Sequence, residues 1–444
     1  MAGTLGPTTI STKQARIATL AKQRPHQSLN NIAHHIDIDW LREAYRRTRR
    51  SGAAGIDGVT AEEYEQNLEG NLRDLLERAK SGTYRAPPVR RVYIPKGNGK
   101  SRPIGIPTLE DKILQRAVVM LLQPLYEQDF YDFSYGFRPG RSPHQATEAL
   151  RKGTMWVGSG WVLDVDIQSF FDDIDRQKLR ALLRRRVTDG VIGRLIGKWL
   201  RAGVMEDGVI HRTATGTPQG GVVSPLLANL YLHEVLDRWW VEEVLPRLSG
   251  RACLVRFADD FVMVFRERAD AQRVLAALSQ RFGRFGLTVH PEKTRLVDFR
   301  RPSGRNDADG KPGTFDFLGF THYWGRHRGG RWVPKTQTSK QRLSRSLVKV
   351  NDWLKRHRHA HVSVHCAHLN RILRGHYQYY GTTGNSRQIA SFYHWTRRLW
   401  KKWLSRRSQK ARLDWNQFKR IVRRNPLLPP RISKRSRQLR MAIS

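Results

Sequence analysis

The sequence predicts an α/β (α+β) domain followed by an α-helical, strongly basic C-terminal region. Three observations carry that expectation. Residues from about 82 to 330 alternate strand-like runs, helical runs and Gly/Pro loops, as a mixed domain does. Beyond residue 335 the apolar residues recur at helical spacing. Two acidic clusters stand in apolar frames within the mixed stretch: Asp164 and Asp166 in WVLDVDI, then Asp259 and Asp260 in FADD.

Residues 1–35 form a polar leader with few periodic apolar positions, expected to be loosely ordered. Residues 36–81 form an N-terminal extension, with helices expected over 39–50 and 61–80 around the loop Gly52–Gly58. The mixed domain runs over 82–334. In it, Trp161, Leu163, Val165 and Ile167 share one strand face, and Asp164 and Asp166 share the other. Ala252–Val255 and Phe261–Phe265 read as a hairpin with Ala258, Asp259 and Asp260 at its turn. Asp172, Asp173 and Asp175 precede the helical run Leu179–Val187 and suit its N-terminus. Ser224 fits a helix N-cap, with Pro225 as the first helical residue. Arg300–Gly313 reads as a polar hairpin loop. Residues 335–404 are expected to be helical, with one stripe of Leu343, Leu347, Val350 and Leu354 and another of Phe392, Trp395, Leu399 and Trp403. Residues 405–444 form a separate basic tail. From Arg397 onward, seventeen Lys and Arg face the one acid Asp414, interleaved with Trp400, Trp403, Trp415 and Phe418. That composition suits phosphate contacts with stacking or helix packing.

Carboxylates at the ends of buried strands are costly unless a cation compensates them. If the hairpin tip lies beside the end of the first strand, Asp166, Asp259 and Asp260 converge. Such a set of hard oxygens suits Mg2+, and two ions can activate an attacking 3′-hydroxyl and stabilise a leaving pyrophosphate. The plainer alternative is a set of solvated turn aspartates. The formal net charge of +41, from 80 Lys and Arg against 39 Asp and Glu, implies a polyanionic partner. The two cysteines, Cys253 and Cys366, exclude a disulfide framework and a four-cysteine zinc site. Cys253 reads as core. The histidines, His361 and His365 among them, lack metal-ligand spacing and read as surface or core. No run of about 18 apolar residues suggests a membrane span, and the N-terminus lacks the apolar core of a signal peptide. A bacterial cytoplasm or nucleoid location fits.

The FADD run resembles the F/Y-x-D-D motif of reverse transcriptases, and Asp166 with Phe170, Phe171 and Asp172 resembles their first metal-binding motif. SGAAGIDG from Ser51 is similar to the N-terminal extension motif of group II intron reverse transcriptases. Further blocks stand in the family's order: IPKGNGKSRPIGIP from Ile94, YGFRPGRS from Tyr135, and GTPQGGVVSPLLAN from Gly216. Gly286-Leu287 with Lys293-Thr294, then FDFLGF from Phe315, complete the series. The resemblance covers roughly residues 40–400.

What it implies is a right-hand polymerase, with fingers and palm in the reverse transcriptase domain and an α-helical thumb, the maturase domain. Asp166, Asp259 and Asp260, with the backbone carbonyl of Ile167, would hold two Mg2+, for which Mn2+ can substitute. Lys96, Arg102, Phe171, Gln219 and Lys293 would contact the incoming dNTP. Lys96 and Arg102 would take its triphosphate, Phe171 would be the gate against a 2′-hydroxyl, and Lys293 would donate a proton to pyrophosphate. Arg138, Arg141, Gly220 and Gly221 would contact the RNA template and DNA primer. Surface charge is the alternative for each basic residue, a turn residue for Gln219 and a core ring for Phe171. The implied activity is RNA-directed DNA synthesis, joined to maturase binding of a group II intron RNA and action on target DNA. No Cys-pair or His-Asn-His endonuclease region follows, so the resemblance is to short members. Recruitment to phage defence or DNA repair is an alternative. A pure RNA-binding splicing factor would have lost the three carboxylates, and a metal nuclease would leave the other blocks unexplained.

Overall fold

The computed structural model describes residues 7–25, 27–95, 101–206, 209–211, 220–302, 313–327, 329–408 and 413–433. Lys96, Gln219 and most of the 300–313 loop lie outside them. The chain forms two compact units. The first is Met1–Ala146, Leu163–Met263 and Glu267–Arg295; the second is Thr147–Val162, Val264–Arg266 and Leu296–Ser444.

The first unit begins with a helix where a loose leader was expected. Helix α1 (Pro7–Gln23) buries Ile10, Ile17 and Ala21, a sparse i, i+7, i+11 stripe. It packs on α5 (Leu109–Tyr126) after α2 (Ile38–Arg46), α3 (Ala61–Glu65) and α4 (Leu68–Ser81) have followed in the chain. The second expected helix is split in two. Thr60 and Glu63 close a capping box at the start of α3.

Strands β1 (Val89–Pro95) and β2 (Ser101–Ile106) pair antiparallel, with Ile94 opposite Arg102. The chain continues through α6 (Pro143–Val157), β3 (Gly160–Val165), β4 (Ile167–Gln168), α7 (Phe170–Asp173), α8 (Arg176–Arg184) and α9 (Gly190–Arg201). Asp175 is the N-cap of α8, accepting from Gln177 and Lys178 N–H. Asp172 and Asp173 instead form the short α7. Strands β5 (Val204–Glu206) and β6 (Val209–His211) complete a sheet ordered β2-β1-β5-β6.

Helix α10 (Ser224–Leu232) starts one residue earlier than expected. Val223 is the cap, so Ser224 is itself helical and Pro225 follows within the first turn. Two π-helical turns, His233–Asp237 and Trp240–Val244, follow. Strands β7 (Ala252–Phe257) and β8 (Asp260–Phe265) form the expected hairpin. Cys253 on β7 is half-buried rather than core. Then come α11 (Arg268–Arg284), β9 (Thr288–Val289) and β10 (Arg295–Phe299). A second sheet runs β10-β3-β8-β7, and β4 pairs with β9. Phe261 to Phe265 are fully buried, so β8 reads as a continuous apolar run, as a strand covered on both faces does. Val162, on the same β3 face as Asp164, is fully buried too.

The second unit carries the sheet β11 (Phe315–Phe317), β12 (Phe320–Arg326) and β13 (Trp332–Thr338). Strand β13 occupies residues expected to begin a helix, so α12 spans Lys340–Arg356. Helices α13 (Val362–Tyr380), α14 (Ser386–Leu404) and α15 (Trp415–Arg424) follow. Their core joins Val350, Leu354, Leu369, Leu373, Ile389, Phe392, Trp400 and Phe418. The buried stripe of α14 is Ile389, Phe392, Thr396, Trp400 and Trp403, whereas Trp395 is exposed beneath Arg398. Phe418 and Leu427 belong to this same core, so the described part of the tail is not a separate segment. His365 is a core residue: its Nε2 contacts the His357 carbonyl at 2.8 Å and its Nδ1 accepts from Trp400 at 3.2 Å.

Candidate active site

The β7–β8 turn is built against conformational preference. Ala258 has φ 59°, a left-handed conformation that non-glycine residues adopt rarely and at a cost. The neighbouring framework holds it there. Arg256 lies on β7 with a fully buried side chain. Its Nε and Nη2 form a fork with both oxygens of the buried Asp237, which the first π-helical turn delivers. Its Nη1 donates to the Asn229 Oδ1 at 3.0 Å and to the Ala258 carbonyl at 3.1 Å. Asn229 in turn donates to the Gly136 carbonyl at 2.6 Å.

The block from Tyr135 lies alongside this turn. Tyr135 N–H donates to the Arg256 carbonyl at 2.8 Å, and Arg256 N–H to the Phe133 carbonyl at 2.9 Å. Gly136 is required by close approach, because a Cβ there would meet the Ala258 nitrogen at 2.2 Å. Arg138, expected to touch template, is spent on the protein instead. It is buried, forks onto Glu127, and donates to the Tyr131 carbonyl at 2.7 Å and the Ser134 carbonyl at 2.8 Å. Arg141 is half-exposed, paired with Asp132 at 2.6 Å and set over the Tyr135 ring.

Asp166 sits at the junction of β3 and β4. Its carbonyl accepts from His290 N–H at 2.8 Å, and its N–H donates to Thr294 Oγ1 at 3.4 Å. Lys293, from the same segment, places its ammonium 2.6 Å from Asp166 Oδ2. The position expected for a pyrophosphate donor is therefore an ion-pair partner of a candidate metal ligand. Lys293 is largely exposed and Asp166 half-buried, so the pair contributes little stability. Ile167 is buried on β4 opposite Val289.

Asp259 is half-buried at the turn. Burial raises its pKa, the Asp166 charge raises it further, and Arg102 and Arg256 pull it down. Asp259 thus lies within electrostatic reach of Asp166 and Arg102. Asp260 opens β8 and is exposed. Among the described residues, no three His, Cys, Asp or Glu side chains are arranged to hold a metal ion. The expected three-carboxylate convergence is accordingly not a preformed cage. Lys293 holds Asp166 in an ion pair. The donor chemistry still fits a hard divalent ion: Asp166 already recruits a cation, and a second charge would offset the burial of Asp259.

Phe170 and Phe171 are both buried and meet edge-to-face at 5.2 Å. They follow Ser169, whose φ of 42° turns the chain sharply into α7. Gly220 is exposed at φ 113°, where a Cβ would lie 2.2 Å from the Gly105 carbonyl on β2. Gly221 is buried, and its carbonyl accepts from Ser224 N–H at 3.3 Å.

Sequence reasoning missed the Arg256–Asp237–Asn229 framework. Its one signal was a charged residue, Arg256, inside the apolar run of β7.

Residues 94–322 match the family model of the reverse transcriptase (RNA-dependent DNA polymerase). Protein YkfC of Escherichia coli is 37% identical over 291 residues, 58% of this chain and 76% of that protein. The group II intron-encoded protein LtrA of Lactococcus lactis is 41% identical over 197 residues, 44% of this chain and 32% of LtrA. The putative COX1/OXI3 intron 1 protein of Saccharomyces cerevisiae is 31% identical over 321 residues, 61% of this chain and 38% of that protein. The chain thus spans about a third of LtrA and of the yeast protein. With the family model matching the strands and turns that carry Asp166 and Asp259, and with these relatives, the chain belongs to the reverse transcriptase family, whose reaction is RNA-directed DNA synthesis, and to its group II intron-encoded reverse transcriptase/maturase branch.

Proposed function

We propose that this chain extends a DNA primer on an RNA template at Asp166, Asp259 and Asp260, and that it also binds a group II intron RNA as a maturase. The observation that carries the catalytic reading is the strained Ala258 turn, held by Arg256, which sets Asp259 within electrostatic reach of Asp166 and Arg102. In this reading residues 82–334 supply fingers and palm, and residues 335–404, with α12–α14, supply the thumb.

Asp166, Asp259 and Asp260, with the Ile167 carbonyl, would hold Mg2+. When bound, two such ions supply the lowered pKa of the primer 3′-hydroxyl and the charge that balances a leaving pyrophosphate. The protein contributes the rest. The Ala258 turn fixes the direction of Asp259. Lys293 keeps Asp166 neutralised and, being exposed, swings away at little cost. Arg102 and Lys96 would place positive charge on the triphosphate of a dNTP. Phe171 would stand against the sugar, Gln219 beside the nucleotide, Gly220 beside the template, and Arg141 on a phosphate. Gly221 is too buried for direct contact in this conformation, and Arg138 supports the turn instead of the template.

The net charge of +41 suits intron RNA, template and target DNA together. No helix among the described residues is long and apolar enough to cross a membrane. A place in the bacterial cytoplasm or nucleoid agrees with such partners. Loading the protein with Fe2+ in place of Mg2+ and adding peroxide tests the metal assignment without turnover. Backbone cleavage should fall beside Asp166 and Asp259 and vanish in Asp166→Asn; cleavage confined to other segments would refute it.

A further inference from the structure

Many arginines of the first unit are paired: Arg42, Arg46, Arg78, Arg138, Arg186 and Arg256 all meet carboxylates. A cluster on α8 and α9 is not. Arg180 and Arg184 on α8, with Arg194 and Arg201 on α9, line a cleft of about 430 Å³. None of the four side chains has an ion pair or hydrogen bond among the described residues. The contrast is sharp at Arg185, the neighbour of Arg184, which pairs with Glu234 at 3.1 Å.

The floor of the cleft is the glycine face of α9. A Cβ on Gly197 would lie 3.8 Å from both the Arg180 and the Arg201 guanidinium, and one on Gly190 3.3 Å from Arg194 Nη1. The cations therefore converge over a floor without side chains, where a bulky anion can approach the helix. Asp189 is the one acid lining the cleft. It is already committed, accepting from Val191, Ile192 and Ala33 N–H. The cleft runs on through Lys198 and Arg201 into a second of about 570 Å³ that adds Arg85. Through Arg194 it meets a third of about 560 Å³ that adds Lys80. Seven residues at 1.5 Å rise separate Arg194 and Arg201 by about 10 Å along α9. A nucleic-acid strand carries one charge per about 3.4 Å of duplex axis, so more than one phosphate fits between them.

Like charges gathered without counter-charges destabilise the fold by self-repulsion, and guanidinium forks match phosphate oxygens in pairs. We infer that the α8–α9 cleft is a binding site for the phosphodiester backbone of a nucleic acid, outside the catalytic hairpin. No residue of that hairpin lines it, and the inference does not rest on the polymerase reading.

The test is equilibrium binding of the full-length protein to a 20-base-pair RNA duplex and the same-sequence DNA duplex across a salt series. Gly193→Glu is the first variant. A Cβ at Gly193 meets nothing within 4 Å, and Glu is the better helix former, so the fold is kept while an acid enters the cleft. Binding should weaken about tenfold at moderate salt. Arg180→Gln/Arg184→Gln and Arg194→Gln/Arg201→Gln should each flatten the log-log salt slope by about two. Arg185→Gln, outside the cleft, should change neither affinity nor slope beyond its own single charge. Primer extension at saturating pre-annealed template should stay at the parent rate. Loss for RNA alone identifies RNA as the occupant; equal loss for both duplexes identifies backbone recognition of either. Unchanged affinity and slope in Gly193→Glu and in both double variants, with native circular dichroism, would overturn the inference.

Discussion

Arg256 donates from Nη1 to the carbonyl of Ala258 at 3.1 Å, two residues along its own chain and across the turn that carries Asp259. The same guanidinium is locked to Asp237 by a buried fork. A buried pair loses heavily when one partner is removed, because the other charge is left without compensation.

Asp237→Asn should therefore lower unfolding free energy by about 3 kcal/mol or more, and lower primer extension as well. Replacing both partners by leucine should recover most of the stability, since no charge remains buried. It should not recover activity, because the Ala258 carbonyl has lost its donor. Denaturant unfolding beside primer-extension rates separates the two effects. Full activity in the double variant would show that the fork serves stability alone.

Asp111 gives a pH signature. It is buried on α5 and accepts from Tyr84 Oη, Trp199 Nε1 and Gln115 Nε2. Burial nevertheless pushes its pKa up to about 6 from 3.8. Between those values the folded state holds a proton that the unfolded state has released. Stability is thus fully present below pH 3.8 and falls as pH rises to about 6, by about 3 kcal/mol for this group. Asp111→Asn should flatten the stability–pH curve across that window. An unaltered slope would show that Asp111 titrates normally.

Phe171 is the candidate gate, although it is as buried as a core ring. Phe171→Val should raise the rNTP/dNTP efficiency ratio about tenfold or more if the ring meets the sugar. A ratio that stays put while thermal stability drops would make it core.

The hairpin around Asp259 was legible because two apolar runs flank a short acidic turn, and the helices α2, α4 and α12 because their stripes keep the 3.6-residue period. The α14 stripe was misread because tryptophans stand on two faces. Trp395 lies outside, while Thr396, a polar residue, is fully buried. Helix α1 was missed because its stripe is sparse and its exit is secured from far away: Arg186 donates to the carbonyls of Ala21, Arg24 and Gln27. Arg138 reads in sequence as a template-binding arginine, and only its partner Glu127 reveals that the protein itself holds it, as Asp237 holds Arg256. Lys96 and Gln219 lie outside the described residues, so their roles rest on the resemblance alone.

Asp259→Asn tests the central claim most directly. The amide keeps the side chain's shape and removes its charge, while the Arg256 framework that holds the turn is untouched. Primer extension on a pre-annealed RNA template should fall by about three orders of magnitude, about 4 kcal/mol of barrier. RNA affinity should stay within about twofold, because the cationic surfaces that bind phosphate are unchanged. Extension near the parent rate in the folded variant would contradict the assignment of Asp259 to catalysis.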